Sequence, residues 1–249
     1  MKNTSSFICF IQKYLSKALN FVFPPQCPYC DKIIHHTQMM CDNCFNQIHF
    51  ITGSKCYRCG RPLPLIQNEE KLLCPNCINK RKNYDLSRSA FIYDSFSRNA
   101  ILRLKHADRT DLRHLFVQYM LRAGTDLFEK TDLVVSVPLH WKRRFKRKYN
   151  QSAVLAELLA KKINKPYSTT LLTRCRYTHS QAGKDSQKRK ENVKNAFKVN
   201  PSHNIKGLSI LLIDDVLTTG ATAESCAKIL KQNGAKAVYV LTIAQVLQH

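Results

Sequence analysis

Leu208-Ser-Ile-Leu-Leu-Ile-Asp-Asp-Val-Leu-Thr-Thr-Gly-Ala-Thr222 combines an aliphatic run, two adjacent acids and a loop of small, hydroxyl-bearing residues. Ile210 to Ile213 shows no polar alternation, which is typical of a strand covered on both faces of a parallel sheet. The two acids are expected to mark the end of that strand. Apolar residues recur at helical spacing from Ala223 to Asn233, and Ala237 to Ile243 has the composition of a further strand. The pattern therefore predicts a βαβ unit of an open α/β sheet.

The loop after the acids has the composition of a phosphate site. Its residues are small enough to let backbone N–H groups approach an anion at the following helix N-terminus, and its hydroxyls add donors. These residues are Thr218, Thr219, Gly220, Ala221 and Thr222. Asp214 and Asp215 would be repelled by that phosphate, so we expect them to serve sugar hydroxyls or a metal ion on the same ligand. The alternative is an ordinary turn with Thr219 or Thr222 as N-cap, although capping needs one hydroxyl and no acid pair.

The stretch also resembles a known motif. Leu211 to Thr222 is similar to the phosphoribosyl pyrophosphate (PRPP) motif of type I phosphoribosyltransferases, in which a hydrophobic run precedes paired acids and T-T/S-G-x-T. The resemblance implies that Asp214 and Asp215 are the catalytic residues and hold the ribose hydroxyls. It implies that the loop from Thr218 to Thr222 holds the 5′-phosphate and that Mg²⁺ accompanies PRPP. The implied fold is a doubly wound, mostly parallel α/β sheet.

The length and net charge of the chain indicate its domain organisation and its kind of partner. The chain has 249 residues, with 40 Lys and Arg against 17 Asp and Glu, for a formal net charge of +23. Such an excess indicates a polyanionic partner or an anionic substrate. We expect an amphipathic helix over 1–23, a double zinc ribbon over 24–80 and a phosphoribosyltransferase-like domain over 84–249. Because Lys13 and Lys17 interrupt the apolar N-terminal run, we expect no membrane span and a cytoplasmic location.

The cysteines are grouped in a way that indicates metal. Eight of the eleven form four Cys-x-x-Cys pairs, namely Cys27, Cys30, Cys41, Cys44, Cys56, Cys59, Cys74 and Cys77. Each pair directs two sulfurs at one ion, and two pairs complete the tetrahedral four-thiolate site of structural zinc. Ten residues separate the first two pairs and fourteen the last two, which favours two consecutive sites. Interleaved pairing stays open, and an iron–sulfur cluster is the rival occupant.

Two stretches of the chain are rich in basic residues. Asp132 to Pro138 is predicted as a second core strand ending beside the acid pair, and Lys142 to Lys148 is basic at every position but Phe145. That run is expected to meet a pyrophosphate or a nucleic-acid backbone, unless it is merely a solvated face. Arg174 to Phe197 lacks periodicity and is predicted as a mobile basic loop, either a lid or an exposed linker. The predicted contacts are Arg144, Arg147, Lys148, Asn150, Gln181 and Arg189.

The whole pattern resembles the ComF/GntX family, whose members join an N-terminal zinc ribbon to a phosphoribosyltransferase-like domain and include proteins of natural DNA uptake. The matching residues are the cysteine pairs, the acid pair, Val135-Ser-Val-Pro138 and Arg147-Lys-Tyr-Asn-Gln151, where the family has R-G-F/Y-N-Q. Lys148 replaces the usual Gly and adds charge at that turn. Two functions are implied: transfer of phosphoribose from PRPP to an unknown acceptor with release of pyrophosphate, or non-catalytic binding of single-stranded DNA as a transformation accessory protein.

Overall fold

The computed structural model describes residues 24–34, 39–64, 71–105, 110–139, 150–175 and 196–247. The chain divides into two compact units, Met1–Gln47 and Ile48–His249. The first pair of Cys-x-x-Cys turns belongs to the first unit, and the second pair belongs to the unit that contains the α/β sheet. The predicted helix over 1–23 falls outside the described residues.

The described elements alternate between strands and helices along the second unit. The first unit contributes a single turn of helix, α1 (Asp42–Phe45). The helices of the second unit are α2 (Pro75–Asn79), α3 (Ser95–Lys105), α4 (Thr110–Ala123), α5 (Thr125–Phe128), α6 (Gln151–Lys162) and α7 (Ala221–Gln232). Its strands are β1 (Leu86–Ile92), β2 (Leu133–Ser136), β3 (Tyr167–Ser168), β4 (Leu172–Arg174), β5 (Phe197–Val199), β6 (Ser209–Leu217) and β7 (Ala237–Gln245).

Five parallel strands form the main sheet in the order β1-β7-β6-β2-β3, and β6 lies at its centre. Ile210 and Leu212 of β6 belong to a buried cluster that also contains the apolar face of α7. On the opposite face α4 packs against β1 and β7, while α6 packs against β2 and β6. Helices therefore cover both faces, as the uninterrupted aliphatic run from Ile210 to Ile213 predicts. The doubly wound α/β fold is confirmed.

Three local features of the fold were not predicted from the sequence. β6 does not end at the acids but continues to Leu217, because β7 offers hydrogen-bonding partners as far as Gln245. The chain from Thr110 to Phe128 forms two helices, α4 and α5, on either side of Gly124. A Cβ at that position would lie 2.8 Å from Leu241 Cδ2 of β7, so a larger residue would clash with the sheet. The antiparallel pair of β4 and β5 was not predicted.

The free edge of β1 is covered by the chain segment that leads into the second cysteine group. Ile51 N–H donates to Ala90 O at 3.0 Å, Ile92 N–H donates to His49 O at 2.8 Å, and Ser87 N–H donates to Arg58 O at 2.7 Å. An exposed edge strand would be a template for pairing with another chain, and these bonds occupy it. The second cysteine group is therefore built onto the sheet.

Arg88 reinforces this attachment from inside the sheet. Its side chain is about 5 % exposed, and its Nη2 donates to Asp126 Oδ2 of α5 at 2.6 Å. Its Nη1 donates to Tyr57 O, in the first Cys-x-x-Cys turn of the second group, at 2.9 Å. A buried charge is tolerated when it is paired and fully hydrogen-bonded. One guanidinium thus connects a helix, a strand and a cysteine turn.

Candidate functional site

The acid pair lies at the C-terminal half of the central strand. Asp214 faces Thr242 of β7 in the strand register, and Ile213 pairs with Ser136, the last residue of β2. The expectation that β2 ends beside the acids is therefore confirmed. In open α/β sheets ligands bind near the carboxyl ends of the strands, and the acid pair comes directly after the level at which β2 ends.

Asp214 is held by two donors. Ser152 Oγ donates to Asp214 Oδ1 at 3.0 Å, and Asp215 N–H donates to the same oxygen at 2.9 Å. The carboxylate of Asp215 in turn accepts Val216 N–H at 2.8 Å. Ser152 is 5 % exposed in the first turn of α6, so its hydroxyl is fixed by packing as well. Sequence reasoning missed this residue, since nothing in its local pattern reveals a contact with Asp214.

Asn150 is the one predicted basic-stretch contact that the structure describes. Its Nδ2 donates to Val137 O at 3.2 Å, which ties the start of α6 to the end of β2. Its Oδ1 is buried without a hydrogen-bond partner among the described residues. Arg144, Arg147, Lys148, Gln181 and Arg189 fall outside the described residues, as does nearly all of the predicted lid.

The loop after β6 leaves a helix N-terminus open. Gly220 is the N-cap of α7 with φ of 76°, and no described side chain caps that helix. Thr219 Oγ1 instead accepts Ala221 N–H at 3.4 Å, a weak contact within the loop. A left-handed φ at Gly220 explains why glycine stands there. Thr218, Thr219, Gly220, Ala221 and Thr222 therefore surround unsatisfied N–H donors of the kind that bind phosphate.

The second cysteine group has the geometry of a four-thiolate metal site. The sulfurs of Cys56, Cys59, Cys74 and Cys77 all lie within 4.8 Å of one another, and all four residues are buried. Cys59 and Cys74 Sγ are 3.6 Å apart, close to the edge of about 3.8 Å that a tetrahedron with zinc–sulfur bonds of about 2.3 Å has. Cys74 N–H donates to Cys56 Sγ at 3.3 Å. The residues present fit zinc.

Hydrogen bonding and burial shift the pKa values of the thiols in that group in opposite directions. The hydrogen bond from the Cys59 thiol, helped by backbone N–H groups, lowers the pKa of Cys56 to about 4 despite its burial. Burial, followed by the charges of neighbouring sulfurs, raises the pKa of Cys77 to about 12. Four thiols this close cannot all ionise without a cation between them. The arrangement favours a metal ion that replaces the protons.

The first cysteine group has the same ligands in a more open setting. Its sulfurs, from Cys27, Cys30, Cys41 and Cys44, also lie within 4.8 Å of one another, but Cys30 is exposed. Cys30 and Cys41 Sγ are 3.6 Å apart, which again fits tetrahedral zinc. Burial raises the pKa of Cys27, yet backbone N–H donors led by Cys41 outweigh it and lower the value to about 7. The pairing is consecutive in both groups, so the interleaved alternative is wrong.

A cleft joins the second cysteine group to the loop after β6. It has an empty volume of about 440 Å³, part of it open to solvent. Cys59, Cys74 and Cys77 line one wall, together with Arg61 and Asn76. The rest of the lining comes from Lys82, Tyr84, Leu217, Thr218, Thr219, Gly220, Gln245 and Val246. The metal site and the open helix N-terminus therefore share one concave surface.

Comparison with known families separates the chain into the same two kinds of module. Residues 18–78 match the double zinc ribbon domain, and residues 150–248 match the phosphoribosyl transferase domain. The match to a zinc ribbon, with the four-sulfur geometry, identifies both cysteine groups as zinc-binding sites. The match to the transferase domain includes the acid pair and the loop.

Full-length relatives decide the family. The chain is 32% identical over 200 residues to the DNA utilization protein YhgH of Salmonella typhimurium, covering 78% of this chain and 85% of that protein. The chain belongs to the ComF/GntX family. Competence protein F of Haemophilus influenzae is 27% identical over 234 residues, which cover 91% of this chain and 99% of that protein. Competence protein ComFC of Bacillus subtilis is 24% identical over 204 residues, covering 79% and 80% of the two chains.

The family assignment confirms the sequence resemblance over most of the chain. No helix among the described residues is long and apolar enough to cross a membrane. In this ComF/GntX protein, the roles of individual residues are inferred from the geometry of the site and not from the family match.

Proposed function

We propose that the second unit binds PRPP with Mg²⁺ and transfers its phosphoribosyl group to an acceptor, releasing pyrophosphate. The observation that carries the proposal is the uncapped N-terminus of α7 directly beside a carboxylate pair that Ser152 and backbone N–H groups hold in place. The loop suits a phosphate and the acids suit hydroxyls, so one phosphorylated sugar satisfies both.

The loop and the acid pair would each hold a different part of PRPP. The N–H groups and hydroxyls from Thr218 to Thr222 would hold the 5′-phosphate, and Asp214 and Asp215 would accept hydrogen bonds from the ribose hydroxyls. The hydrogen bond from Ser152 restricts Asp214 to one orientation. Carboxylate oxygens also suit Mg²⁺, which would share the pyrophosphate charge when bound. The basic run from Lys142 to Lys148 would add charge for the same pyrophosphate.

The reaction needs no protein nucleophile. The bond from ribose C1 to the pyrophosphate oxygen breaks, a nitrogen of the acceptor bonds to C1, and the proton on that nitrogen is lost. Positive charge develops on the ribose ring during the transfer, and the carboxylates of Asp214 and Asp215 stabilise it electrostatically. Their function is to position the sugar and to stabilise charge.

Calorimetric titration of the zinc-loaded protein with PRPP and Mg²⁺ tests the proposal. We expect saturable binding that is lost in the double variant Asp214→Asn/Asp215→Asn. Glu157→Gln is the matched control, since its exposed side chain on α6 pairs with Lys161 in the same helix. Absence of PRPP binding by the folded wild-type protein would exclude the enzyme and leave the DNA-binding function.

A second function is favoured by charge and by relatives. The net charge of +23 suits a polyanion. Relatives carry the names DNA utilization protein and competence protein, and we propose that this chain likewise binds single-stranded DNA as an accessory protein of DNA uptake. Such binding would be mainly electrostatic, so its affinity should fall steeply as salt rises. We further propose that the protein acts in the cytoplasm, where both PRPP and an imported strand would be met.

The two functions can be separated by substitution. Pyrophosphate release, if the chain is an enzyme, should disappear in Asp214→Asn. Affinity for a fluorescent oligonucleotide should survive Asp214→Asn and fall when the charges from Lys142 to Lys148 are removed. If pyrophosphate release is unchanged in Asp214→Asn and oligonucleotide affinity is unchanged after the charges from Lys142 to Lys148 are removed, both proposals are contradicted.

A further inference from the structure

The cleft beside the loop is an open groove, and its empty volume of about 440 Å³ includes space that is continuous with solvent. The groove extends from Thr218, Thr219 and Gly220 to Cys59, Cys74 and Cys77. A sugar 5′-phosphate held by the loop would extend from it toward Asp214, which leaves the part of the groove beside the second cysteine group open to a second group of the ligand.

Positively charged side chains line the cleft. Arg61 and Lys82 are among its lining residues, and no Asp or Glu is among the described residues that line it. Lys82 Nζ forms an ion pair with Glu224 Oε1 at 3.5 Å. The other carboxylate oxygen of Glu224 is occupied by the backbone and side-chain N–H groups of Asn83, each at 2.8 Å. Because an ammonium has three donors, Lys82 retains donors for an anion.

Zinc makes these two cations more significant. A four-thiolate zinc site carries a net formal charge of −2, and three of its cysteines line the cleft. That charge would repel a phosphate ligand unless nearby cations offset it. Arg61 and Lys82 line the same cleft and offset part of that charge.

Gln245 supplies an unused acceptor. It lies at the end of β7, lines the cleft and is 7 % exposed. Its Oε1 is buried and has no hydrogen-bond partner among the described residues. A buried unpaired carbonyl is costly, so a ligand that donates a hydrogen bond there would stabilise the site. The oxygens of a phosphodiester are acceptors only and cannot serve, whereas the N–H groups of a nucleobase can.

We propose that this cleft is a nucleotide subsite. The loop binds the phosphodiester that links two nucleosides, and the cleft holds the nucleoside on the side away from Asp214. The inference rests on the proposed function, since it uses the same phosphate loop, and it names a ligand class: a phosphodiester-linked nucleotide, as in a single strand or a free dinucleotide. Arg61 and Lys82 neutralise the linkage, and Gln245 accepts a hydrogen bond from the base. The loop then binds either PRPP or a nucleotide linkage.

The test measures the binding of PRPP with Mg²⁺ and of two nucleotide probes, dTpdT and a fluorescent single-stranded (dT)12. We expect PRPP and each probe to displace one another. The double variant Arg61→Gln/Lys82→Gln should lose roughly tenfold or more in affinity for the probes and change its affinity for PRPP less than about twofold. The matched control is Lys206→Gln/Lys236→Gln. It removes the same charge from exposed positions just before the amino-terminal ends of β6 and β7, away from the cleft. The control should affect neither ligand.

Thr218→Asp separates this inference from the proposed function, because a carboxylate in the loop repels any phosphate. If PRPP fails to bind but both Thr218→Asp and the Arg61/Lys82 variant weaken the probes, the subsite stands and the PRPP proposal fails. If PRPP binds but the probes ignore Thr218→Asp, or if the Arg61/Lys82 variant weakens PRPP and the probes equally, the subsite is wrong. Each variant is first checked for two bound zinc ions and an unchanged melting curve. Binding of (dT)12 without dTpdT identifies a strand, and comparable binding of both identifies a dinucleotide.

Discussion

In the first cysteine group Cys30 is exposed and Cys41 half-buried, whereas all four cysteines of the second group are buried. The ligands, the spacing within each turn and the sulfur geometry are alike, so the difference comes from what surrounds them. The second group shares its unit with the sheet, covers the edge of β1 and lines the cleft beside the loop after β6. The same motif therefore forms a compact four-cysteine group in one unit and part of a cleft lining in the other.

The largest expected effect comes from removing one metal at a time. Cys56→Ser/Cys59→Ser should lose one zinc and unfold much of the second unit's edge, because structural zinc contributes about 10–16 kcal/mol of apparent binding free energy in zinc-finger peptides. Cys27→Ser/Cys30→Ser should also lose one zinc but leave the main melting transition nearly unchanged, since the two units are each compact. Zinc content by emission spectroscopy and melting by circular dichroism measure both effects. Equal loss of stability in the two variants would show that the second group has no special structural role.

A smaller effect is expected at Arg88, which links the second cysteine group to the sheet. Arg88→Ala removes a buried fork that pairs Asp126 and satisfies Tyr57 O, and we expect a loss of about 3 kcal/mol in the free energy of unfolding. Arg88→Lys should recover only part of it, because an ammonium cannot make the fork. Urea denaturation gives the values, with Arg98→Ala on the exposed side of α3 as the control.

An Arg88→Ala variant as stable as the control would mean that the backbone bonds along β1 alone hold the second cysteine group. The comparison between the two groups would then rest on burial rather than on the guanidinium link.

Several parts of this molecule follow from local pattern. The central strand and the turn into α7 were predicted because an aliphatic run, an acid pair and a small-residue turn are contiguous in the chain. The two metal groups were predicted because each Cys-x-x-Cys turn is itself a local structure. Only the choice between consecutive and interleaved pairing needed the fold, and the sulfur distances settle it.

The remaining features depend on contacts between distant residues. Ser152 meets Asp214 across 62 positions, and β4 and β5 are three-residue strands too short to show a period. From the sequence alone, a charged residue such as Arg88 in a strand would be expected at the surface. It is buried because the cysteine turn that contains Tyr57 covers it. The cleft combines residues from 59 to 246, so no window of sequence contains it.

The finest distinction is between two glycines near the second cysteine group. Gly60 and Gly53 have φ of 67° and 71°, so alanine at either position costs about 1 kcal/mol for the left-handed backbone. A Cβ on Gly53 meets nothing within 4 Å, whereas one on Gly60 would lie 2.5 Å from Ser87 O. Since that oxygen belongs to the backbone of β1, it cannot move without disturbing the sheet. We expect Gly60→Ala to cost about 2 kcal/mol more than Gly53→Ala in urea denaturation.

The same pair of variants tests whether the attachment to β1 also protects the metal. Gly60→Ala should release one of the two zinc ions to a chelator faster than wild type, because displacing Gly60 from Ser87 loosens the turn that carries Cys59. Gly53→Ala should release zinc at the wild-type rate, as it has the same backbone strain without the clash. If both variants release zinc alike, the close approach at Gly60 serves packing alone and does not protect the metal.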